Sequence, residues 1–384
     1  MTDHDRLRTA LTEELRTAGE LRRRLHANPD LSGDEAATRD LVLDALPRGS
    51  VISTAETGAV VRIGGTGPAV GVRGELDALP MEETTGVPWA SAKAGVMHAC
   101  GHDLHLAAVT ALARAVDRVG GPAPLLAVLQ PREETYPSGA LDIVDGGVLE
   151  GQHCAAMIGA HVQPMLAPDV VACVPGGVNA SSDEFELVVT GESGHAAYPH
   201  LTRDPVLALS QIVVALQGVV SRGVDPMTPA VVGVSSLQAG SAANVVPGSA
   251  RASGTIRTLS KSTRARLHDQ ISETAEGVAR AHGCEAKVIV TRGEPVLDND
   301  PELTHRAAQH LAHQRFEVSS TLRSVGADDF AYYGERIPSL MLFVGTDTDR
   351  SLHRNDFLPS EGDLARVAHA MLAGYLAGAE QLPD

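Results

Sequence analysis

Short apolar segments alternate with longer amphipathic segments along much of the chain. The apolar segments that we interpret as buried strands are 70–72, 125–129, 155–160 and 340–344. Segments such as 104–119 and 138–148, which lie between them, have the pattern of helices. Strands that alternate with helices are typical of a mostly parallel sheet with helices on both faces. We therefore expect an α/β domain.

A different pattern runs through residues 179–294. Here we predict strands at 184–190, 230–237, 249–257 and 286–291, and helices at 205–222 and 261–282. The order β-α-β-β-α-β is typical of a small open-faced sandwich. We predict that 179–294 is an α+β domain inserted into a catalytic domain formed by 1–178 and 295–384.

Composition and charge exclude several classes of partner. The chain has 384 residues, which favours two domains, and a formal net charge of -17, which disfavours binding to nucleic acid or anionic membranes. The first thirty residues lack the apolar core of a signal peptide, and we expect no apolar stretch long enough to span a membrane. The four cysteines are too widely spaced for a disulfide framework. We expect a cytoplasmic protein that binds neither nucleic acid nor membranes.

Groups that can bind metal or move a proton closely follow each of the four predicted strands of the α/β domain. In chain order they are Glu75 and Asp77, then Glu133 and Glu134, then His161, and finally His353. Sites in open α/β sheets form beyond the carboxyl ends of the strands. The sequence therefore predicts that these four loops meet at one edge of the sheet.

A further block, GVMHACGHDLHLAA, is rich in metal-binding side chains. It contains His98, Cys100, His102, Asp103 and His105. Imidazole and thiolate groups spaced this closely are typical of metal ligands. The predicted ligands of two divalent ions are Cys100, His102, Glu134, His161 and His353. Zinc suits this mixture of nitrogen, sulfur and oxygen donors, and manganese, cobalt or nickel also fits it.

Two carboxylates beside these ligands have predicted supporting roles. Glu133 directly precedes the ligand Glu134, and adjacent residues do not usually bind the same ion comfortably. Glu133 is then available as general base toward a metal-activated water; the alternative is a solvated neighbour with no role. Asp77 either orients a metal ligand from behind or caps a turn.

The motifs, in their serial order, resemble one known family. They include VRGELDALPMEETTGVPWAS, MHACGHD, LQPREET, GAHVQP, SGHAAYPH and SLHRNDF. The family is that of the aminoacylases and carboxypeptidase G, which are dinuclear metallohydrolases. MHACGHD is specific to the branch that holds hippurate hydrolase, indole-acetyl-amino-acid hydrolases and N-acetyl-diaminopimelate deacetylase. The resemblance implies a zinc-peptidase-like catalytic domain with a mixed, mostly parallel sheet, and an inserted lid domain.

The resemblance also implies residue roles and an activity. It assigns the five ligands named above, Glu133 as general base and proton shuttle, and Asp77 as support of the metal centre. His195 resembles a histidine that reaches the active site of a partner subunit and stabilises the oxyanion, which implies a homodimer. Asn244 and Arg257 resemble residues that hold the carboxylate or carbonyl of the substrate. The implied enzyme is a metal-dependent amidohydrolase that cleaves N-acyl amino acids into a carboxylic acid and a free amino acid.

Three positions depart from the usual pattern of this branch. Glu75 stands where the branch has Asp, TYPSGA at 135–140 replaces a glycine-rich run, and Asp328 replaces Glu. None of these changes removes a predicted ligand, which disfavours a metal-binding scaffold protein without activity. An alternative on the same scaffold is a dipeptidase or aminopeptidase, which needs an acidic pocket for the free amino group of its substrate.

Overall fold

The structure, a computed structural model, describes residues 3–382. The chain divides into two compact units. The second unit comprises Gly177–Leu297 and Arg323–Asp328, and the first comprises the segments before, between and after these. The main segment of the second unit, Gly177–Leu297, begins two residues before the predicted insertion at 179–294 and ends three residues after it. The short segment 323–328 belongs to the second unit because Ser324 exchanges backbone hydrogen bonds with Val178 and Ala180, at 2.9 and 3.1 Å.

Helices and strands alternate through the described residues. The helices are α1 (Asp3–Ala27), α2 (Ala36–Ala45), α3 (His102–Val119), α4 (Gly139–Asp145), α5 (Val148–Gly151), α6 (Pro205–Gly223), α7 (Lys261–Ala281), α8 (Pro301–His313) and α9 (Glu361–Ala379). The strands are β1 (Ser50–Thr54), β2 (Gly58–Ile63), β3 (Ala69–Glu75), β4 (Leu125–Gln130), β5 (Cys154–Gln163), β6 (Val170–Ala172), β7 (Gly176–Asn179), β8 (Asp183–Thr190), β9 (Gly194–His195), β10 (Ala230–Ala239), β11 (Val245–Val246), β12 (Ser249–Thr258), β13 (Glu285–Thr291), β14 (Leu297–Asn299), β15 (Glu317–Ser319) and β16 (Ser339–Gly345).

The first unit is built on an eight-stranded sheet in the order β1-β2-β4-β3-β5-β16-β6-β15. The four central strands, β4, β3, β5 and β16, are parallel, whereas β1, β2 and β6 add antiparallel pairs. Every residue of β3, β4 and β16 is buried, as expected for strands that helices cover on both faces. The predicted fold class, an α/β domain with a mixed, mostly parallel sheet, is confirmed.

One hydrophobic core joins this sheet to its helices. It contains Leu11 of α1, Leu112 of α3, Ile158 of β5 and Leu372 of α9. These helices and the parallel strands hold the carboxyl edge of the sheet in place. The loops that follow the strands are therefore attached to a well-packed hydrophobic core.

The second unit has an antiparallel four-stranded sheet in the order β10-β12-β8-β13. Burial alternates along β12, and the core of the unit is formed by the buried strand residues together with α6 and α7. The open-faced sandwich expected from the order β-α-β-β-α-β is thus the observed arrangement. The helices cover one face of the sheet only.

Two expectations about individual segments are wrong. The segment 138–148 is not one helix, because it is interrupted at Gly146 and Gly147, and Gly147 adopts a φ of +66°. An apolar stretch long enough to span a membrane does exist by length and composition, namely α6. Leu209, Ile212 and Leu216 of α6 are fully buried in the core of the second unit, which accounts for part of its apolar character, whereas Leu207 and Val214 of the same helix are exposed.

Candidate metal centre

The predicted metal ligands, together with Asp77 and Glu133, lie at the carboxyl ends of the central strands and at the start of α3. Asp77 follows β3, Glu133 and Glu134 follow β4, and His353 follows β16. His161 lies inside β5 and not beyond it as predicted, because β5 continues to pair with β16 as far as Gln163. The structure therefore brings to one edge of the sheet the groups that the sequence placed after four separate strands.

A tight turn places Cys100 and His102 on either side of Gly101. Gly101 precedes the first residue of α3 and has a φ of +85°, a conformation that favours glycine. A Cβ at this position would lie 2.7 Å from Cγ2 of Val162 on β5. Glycine is therefore required here both by the backbone conformation and by the close approach of β5.

The thiol of Cys100 is at the centre of the donor groups. Its Sγ lies 3.5 Å from Nε2 of His161 and 3.3 Å from Nε2 of His353. The donor atoms of Cys100, His102 and His161 form one group within 4.8 Å, and those of Cys100, Glu134 and His353 form another. Two groups of three donors thus share one sulfur atom, which is an arrangement suited to a pair of ions.

Hydrogen bonds orient two of the imidazoles toward this centre. His102 Nδ1 lies 2.8 Å from the carbonyl oxygen of Asp77, and His161 Nδ1 lies 2.8 Å from that of Val162. Each Nδ1 therefore carries the proton, and each Nε2 is left as an electron-pair donor. Nε2 of His102 and Oε1 of Glu134 are buried and have no hydrogen bond among residues 3–382. These two donor atoms, of which Oε1 of Glu134 lies 3.3 Å from Nε2 of His353, fit a pair of divalent cations.

Asp77 supports two of the predicted ligands at once. Its carbonyl oxygen accepts from His102, while its carboxylate Oδ2 accepts from the backbone N–H of Glu134 at 2.9 Å and from Ser32 Oγ at 2.8 Å. The other carboxylate oxygen lies 3.5 Å from His102 Nδ1, so the carbonyl contact is the hydrogen bond. Asp77 is fully buried and links the loop after β3 to the loop after β4.

Burial and neighbouring groups shift the protonation of the donors. Burial raises the pKa of the Cys100 thiol well above its usual value, and burial lowers the pKa of His161 well below 6.5. Burial also lowers the pKa of His102, but the nearby side chains of Asp77 and Cys100 outweigh burial and raise this pKa well above 6.5. A bound cation would reverse the shift of the thiol, because coordination favours the thiolate.

Glu133 lies beside these donors but belongs to neither group of three that contains Cys100. Its Oε2 is 3.7 Å from Nε2 of His102, and its side chain is 14% exposed. Glu133 therefore lies next to the predicted metal centre and retains contact with solvent. This position suits a proton carrier, and its role as general base stays a prediction.

The three other predicted site residues belong to the second unit. His195 is exposed on β9, and its Nδ1 accepts a hydrogen bond from the N–H of Ala197 at 3.1 Å, which places the ring proton on Nε2. Asn244 lies beside it, with its carbonyl oxygen 3.0 Å from the N–H of Ala196. Arg257 lies on another strand, β12, opposite Val231. The structure thus brings His195 and Asn244 together within the unit but not Arg257.

A buried charged cluster behind the N-terminus of α3 was not predicted. Oδ2 of Asp103 lies 3.1 Å from both Nε of Arg22 and Nδ1 of His26. His26 also lies 3.1 Å from Glu83. Burial lowers the pKa of His26, but the opposite effect of the carboxylates of Asp103 and Glu83 is larger and raises the pKa to about 9. This cluster fixes the first turn of α3 directly after the predicted ligand His102.

A second unpredicted cluster surrounds Glu75, one of the positions that depart from the usual pattern. Glu75 contacts Arg73 and lies 3.1 Å from His105 Nδ1, and Arg73 reaches Asp329 at 3.0 Å. All four side chains are buried. Burial raises the pKa of Glu75, but the opposite effect of Arg73 and His105 is larger. The pKa of Glu75 therefore falls well below the usual range. His105 follows His102 by one helical turn, and this spacing was the signal that could have indicated its position.

Three curated relatives cover nearly the whole chain. The chain is 36% identical over 361 residues to an N-acetyl-L-cysteine deacetylase of Bacillus subtilis, covering 91% of this chain and 85% of the relative. It is 33% identical over 364 residues to an N-acetyldiaminopimelate deacetylase of the same organism, covering 93% and 97%. It is 32% identical over 375 residues to the thermostable carboxypeptidase 2 of Saccharolobus solfataricus, covering 92% and 94%.

The fold is also similar to that of solved structures. One is the Bacillus subtilis YXEP protein, a dinuclear metal binding peptidase from the M20 family. The two structures superpose with a TM-score of 0.84 and 29% identity over 97% of this chain and all of that one. The aminopeptidase PepT of Bacillus cereus shares only the fold, with a TM-score of 0.71 and 15% identity. Residues 71–375 match the model of peptidase family M20/M25/M40, and the chain therefore belongs to that family.

Proposed function

We propose that this protein is a metal-dependent amidohydrolase that cleaves N-acyl amino acids into a carboxylic acid and a free amino acid. The observation that carries the proposal is the pair of donor groups that share Cys100, with Glu133 beside them. The substrate class is supported by two relatives named as deacetylases of N-acetyl-L-cysteine and N-acetyldiaminopimelate. Small N-acetyl amino acids are therefore the first substrates to test.

The ligand set proposed for two ions per subunit is Cys100, His102, Glu134, His161 and His353. When bound, two divalent cations would polarise the amide carbonyl and lower the pKa of a water molecule. Zinc or manganese is proposed, with cobalt and nickel as substitutes; the thiolate donor favours zinc. The neutral Nε2 atoms of His102 and His161 suit all four metals.

Glu133 moves the proton in the proposed reaction. Its carboxylate takes a proton from the attacking water as the new carbon–oxygen bond forms. It then gives that proton to the amide nitrogen as the carbon–nitrogen bond breaks, so that the amino acid leaves as a neutral amine. Since Glu133 has given up that proton, it is ionised again and ready for the next turnover.

We further propose a cytoplasmic homodimer in which His195 of one subunit donates from Nε2–H to the developing oxyanion in the other. The exposure of His195 and the proton on its Nε2 support this role. Asn244, beside it, and Arg257 would hold the carboxylate or carbonyl of the substrate. The four cysteines are all free and buried, which is typical of a reducing compartment.

The test is amino-acid release from N-acetyl, N-benzoyl and indole-acetyl amino acids by chelator-treated protein, with and without added zinc, manganese, cobalt or nickel. Release that depends on the added metal is expected. Glu133→Gln should lower kcat by about 10²–10⁴-fold and still bind two ions. Failure of the wild-type protein to bind metal and to release any amino acid would overturn the proposal.

A peptidase is the second candidate function. The similarity to a carboxypeptidase of Saccharolobus solfataricus favours it. Dipeptides with a free amino group should be included in the same assay. Faster release from these than from the N-acyl amino acids would favour the peptidase, whereas preference for a blocked amino group would favour the amidohydrolase.

A further inference from the structure

The sheet of the first unit opens at its carboxyl edge between β3 and β5. These two strands pair only as far as Val72 and Ile158. Beyond that point β3 continues beside β4 to Glu75, and β5 continues beside β16 to Gln163. The end of β5 therefore has no β3 partner in the ladder, although it carries a predicted metal ligand.

His105 bridges this opening from the first turn of α3. Its Nδ1 lies 3.1 Å from Oε2 of Glu75 on β3, and its Nε2 lies 3.1 Å from the backbone nitrogen of Val162 on β5. Since the N–H of Val162 donates to Nε2, the ring proton is on Nδ1 and is donated to Glu75. His105 is 0% exposed and Glu75 is 1% exposed, so water does not compete for these hydrogen bonds.

The bridge acts on the backbone that holds His161. The carbonyl oxygen of Val162 accepts the hydrogen bond from Nδ1 of His161, and its N–H is held by His105. The rings of His105 and His161 also pack edge to face, with centroids 4.6 Å apart. Displacement of Val162 would therefore move the ring of His161 as well as the hydrogen bond that fixes its proton.

A separate metal site at these residues is excluded by their hydrogen bonds. Donor atoms of Glu75, His105 and His161 do lie within 4.8 Å of one another. Both nitrogens of His105 are already used, however, and Glu75 is paired with Arg73. Only Nε2 of His161 is left to coordinate, and it points toward Cys100 at 3.5 Å.

We propose that His105 is a positioning residue whose Nε2 holds the backbone N–H of Val162 so that His161 presents its own Nε2 to the metal centre. The inference rests on the proposed function for one point, that His161 is a metal ligand. Loss of such a supporting hydrogen bond typically costs 10–100-fold in metal affinity. We expect a loss of about this size for one ion of the pair.

Three variants of His105 separate its two hydrogen bonds. In His105→Gln, the amide oxygen reaches the position of Nε2 and still accepts from Val162. In His105→Asn, the amide nitrogen reaches the position of Nδ1 and donates to Glu75, but Val162 loses its acceptor. His105→Phe keeps a ring and removes both hydrogen bonds. His369→Asn, on α9 and outside this cluster, is the matched control.

The measurement is titration of each metal-free protein with zinc in competition with a coloured chelator, which gives the number of bound ions and their affinities. We expect His105→Asn and His105→Phe to bind one ion about 10–100-fold more weakly, and His105→Gln and the control to bind both ions as the wild type does. Equal losses in the Gln and Phe variants, or wild-type binding by the Asn variant, would overturn the proposal. If the Phe variant fails to fold by circular dichroism, the Gln and Asn variants still decide. A wild-type protein that does not bind two ions would instead contradict the proposed function.

Discussion

Gly101 offers a direct test of how closely the turn before α3 packs against β5. Gly101→Ala places a side chain at a φ of +85°, which costs about 1–2 kcal/mol for a residue other than glycine. The new Cβ would also lie 2.7 Å from Cγ2 of Val162, and overpacking of a core typically costs about 1–3 kcal/mol. The two effects add to about 2–5 kcal/mol of lost stability.

Two other glycines of the first unit separate these effects. Gly95 has a φ of +72° but no atom within 4 Å of an added Cβ, so Gly95→Ala should lose only the conformational part. Gly19 lies inside α1 with no close atom and without a positive φ, so Gly19→Ala should gain about 0.5–1 kcal/mol. The series therefore predicts the order Gly19→Ala, wild type, Gly95→Ala and Gly101→Ala, from most to least stable.

Differential scanning calorimetry of the metal-free proteins measures this order. The transition of the first unit is identified as the one that zinc shifts upward. At about 2–4 °C for each kcal/mol, Gly101→Ala should lower its Tm by about 4–20 °C. Zinc binding should weaken as well, since Gly101 separates two predicted ligands. If Gly101→Ala unfolds at the same temperature as Gly95→Ala, the contact with Val162 is easily relieved and the reasoning about close packing is wrong.

Three further predictions concern charge and metal. Asp183→Ala should destabilise the second unit by about 3 kcal/mol, because it leaves Arg264 and His268 without their shared carboxylate; an unchanged transition in calorimetry would contradict this. The pKa of His26 is about 9, above the ordinary 6.5, so its contribution to stability is complete below pH 6.5 and is lost as the pH rises through 9; His26→Gln should lack this decline in Tm. Removing the ions with a chelator should lower the Tm of the first unit by the equivalent of about 2.7 kcal/mol for each ion, relative to metal at 100 times its Kd, and leave the second unit unchanged.

The strands that the sequence predicted best are those whose residues are almost all buried. β3, β4, β5 and β16 are apolar along most of their length because helices cover both faces of the sheet. β1 is mostly exposed at the sheet edge, and β6 and β15 have three residues each, so none of them has a clear apolar period. The positions of β6 and β15 also depend on pairing between strands that are far apart in the chain, which no local pattern records.

The same distinction applies to the site. Cys100 and His102 were selected because residue types that bind metal occur close together in the sequence. Apart from Asp77, the supporting residues were not given that role, since Arg22 meets Asp103 across 81 positions and Glu75 meets His105 across 30. Such contacts arise only when the helix and strand packing is known. Residue types that are close in the sequence thus identified the candidate ligands, whereas the other residues that position these ligands were found only from tertiary contacts.

The chain order of the central sheet has a consequence for synthesis on the ribosome. β16 lies between β5 and β6, yet it follows them by the whole length of the second unit. At about 5–20 residues per second, roughly 10–35 s pass between the translation of Gln163 and that of Ser339. During that interval one edge of β5 has no neighbour, and exposed strand edges are prone to aggregate. Nascent chains at this stage are therefore the ones that most need a chaperone, and His353 completes the set of candidate ligands only after β16 has been made.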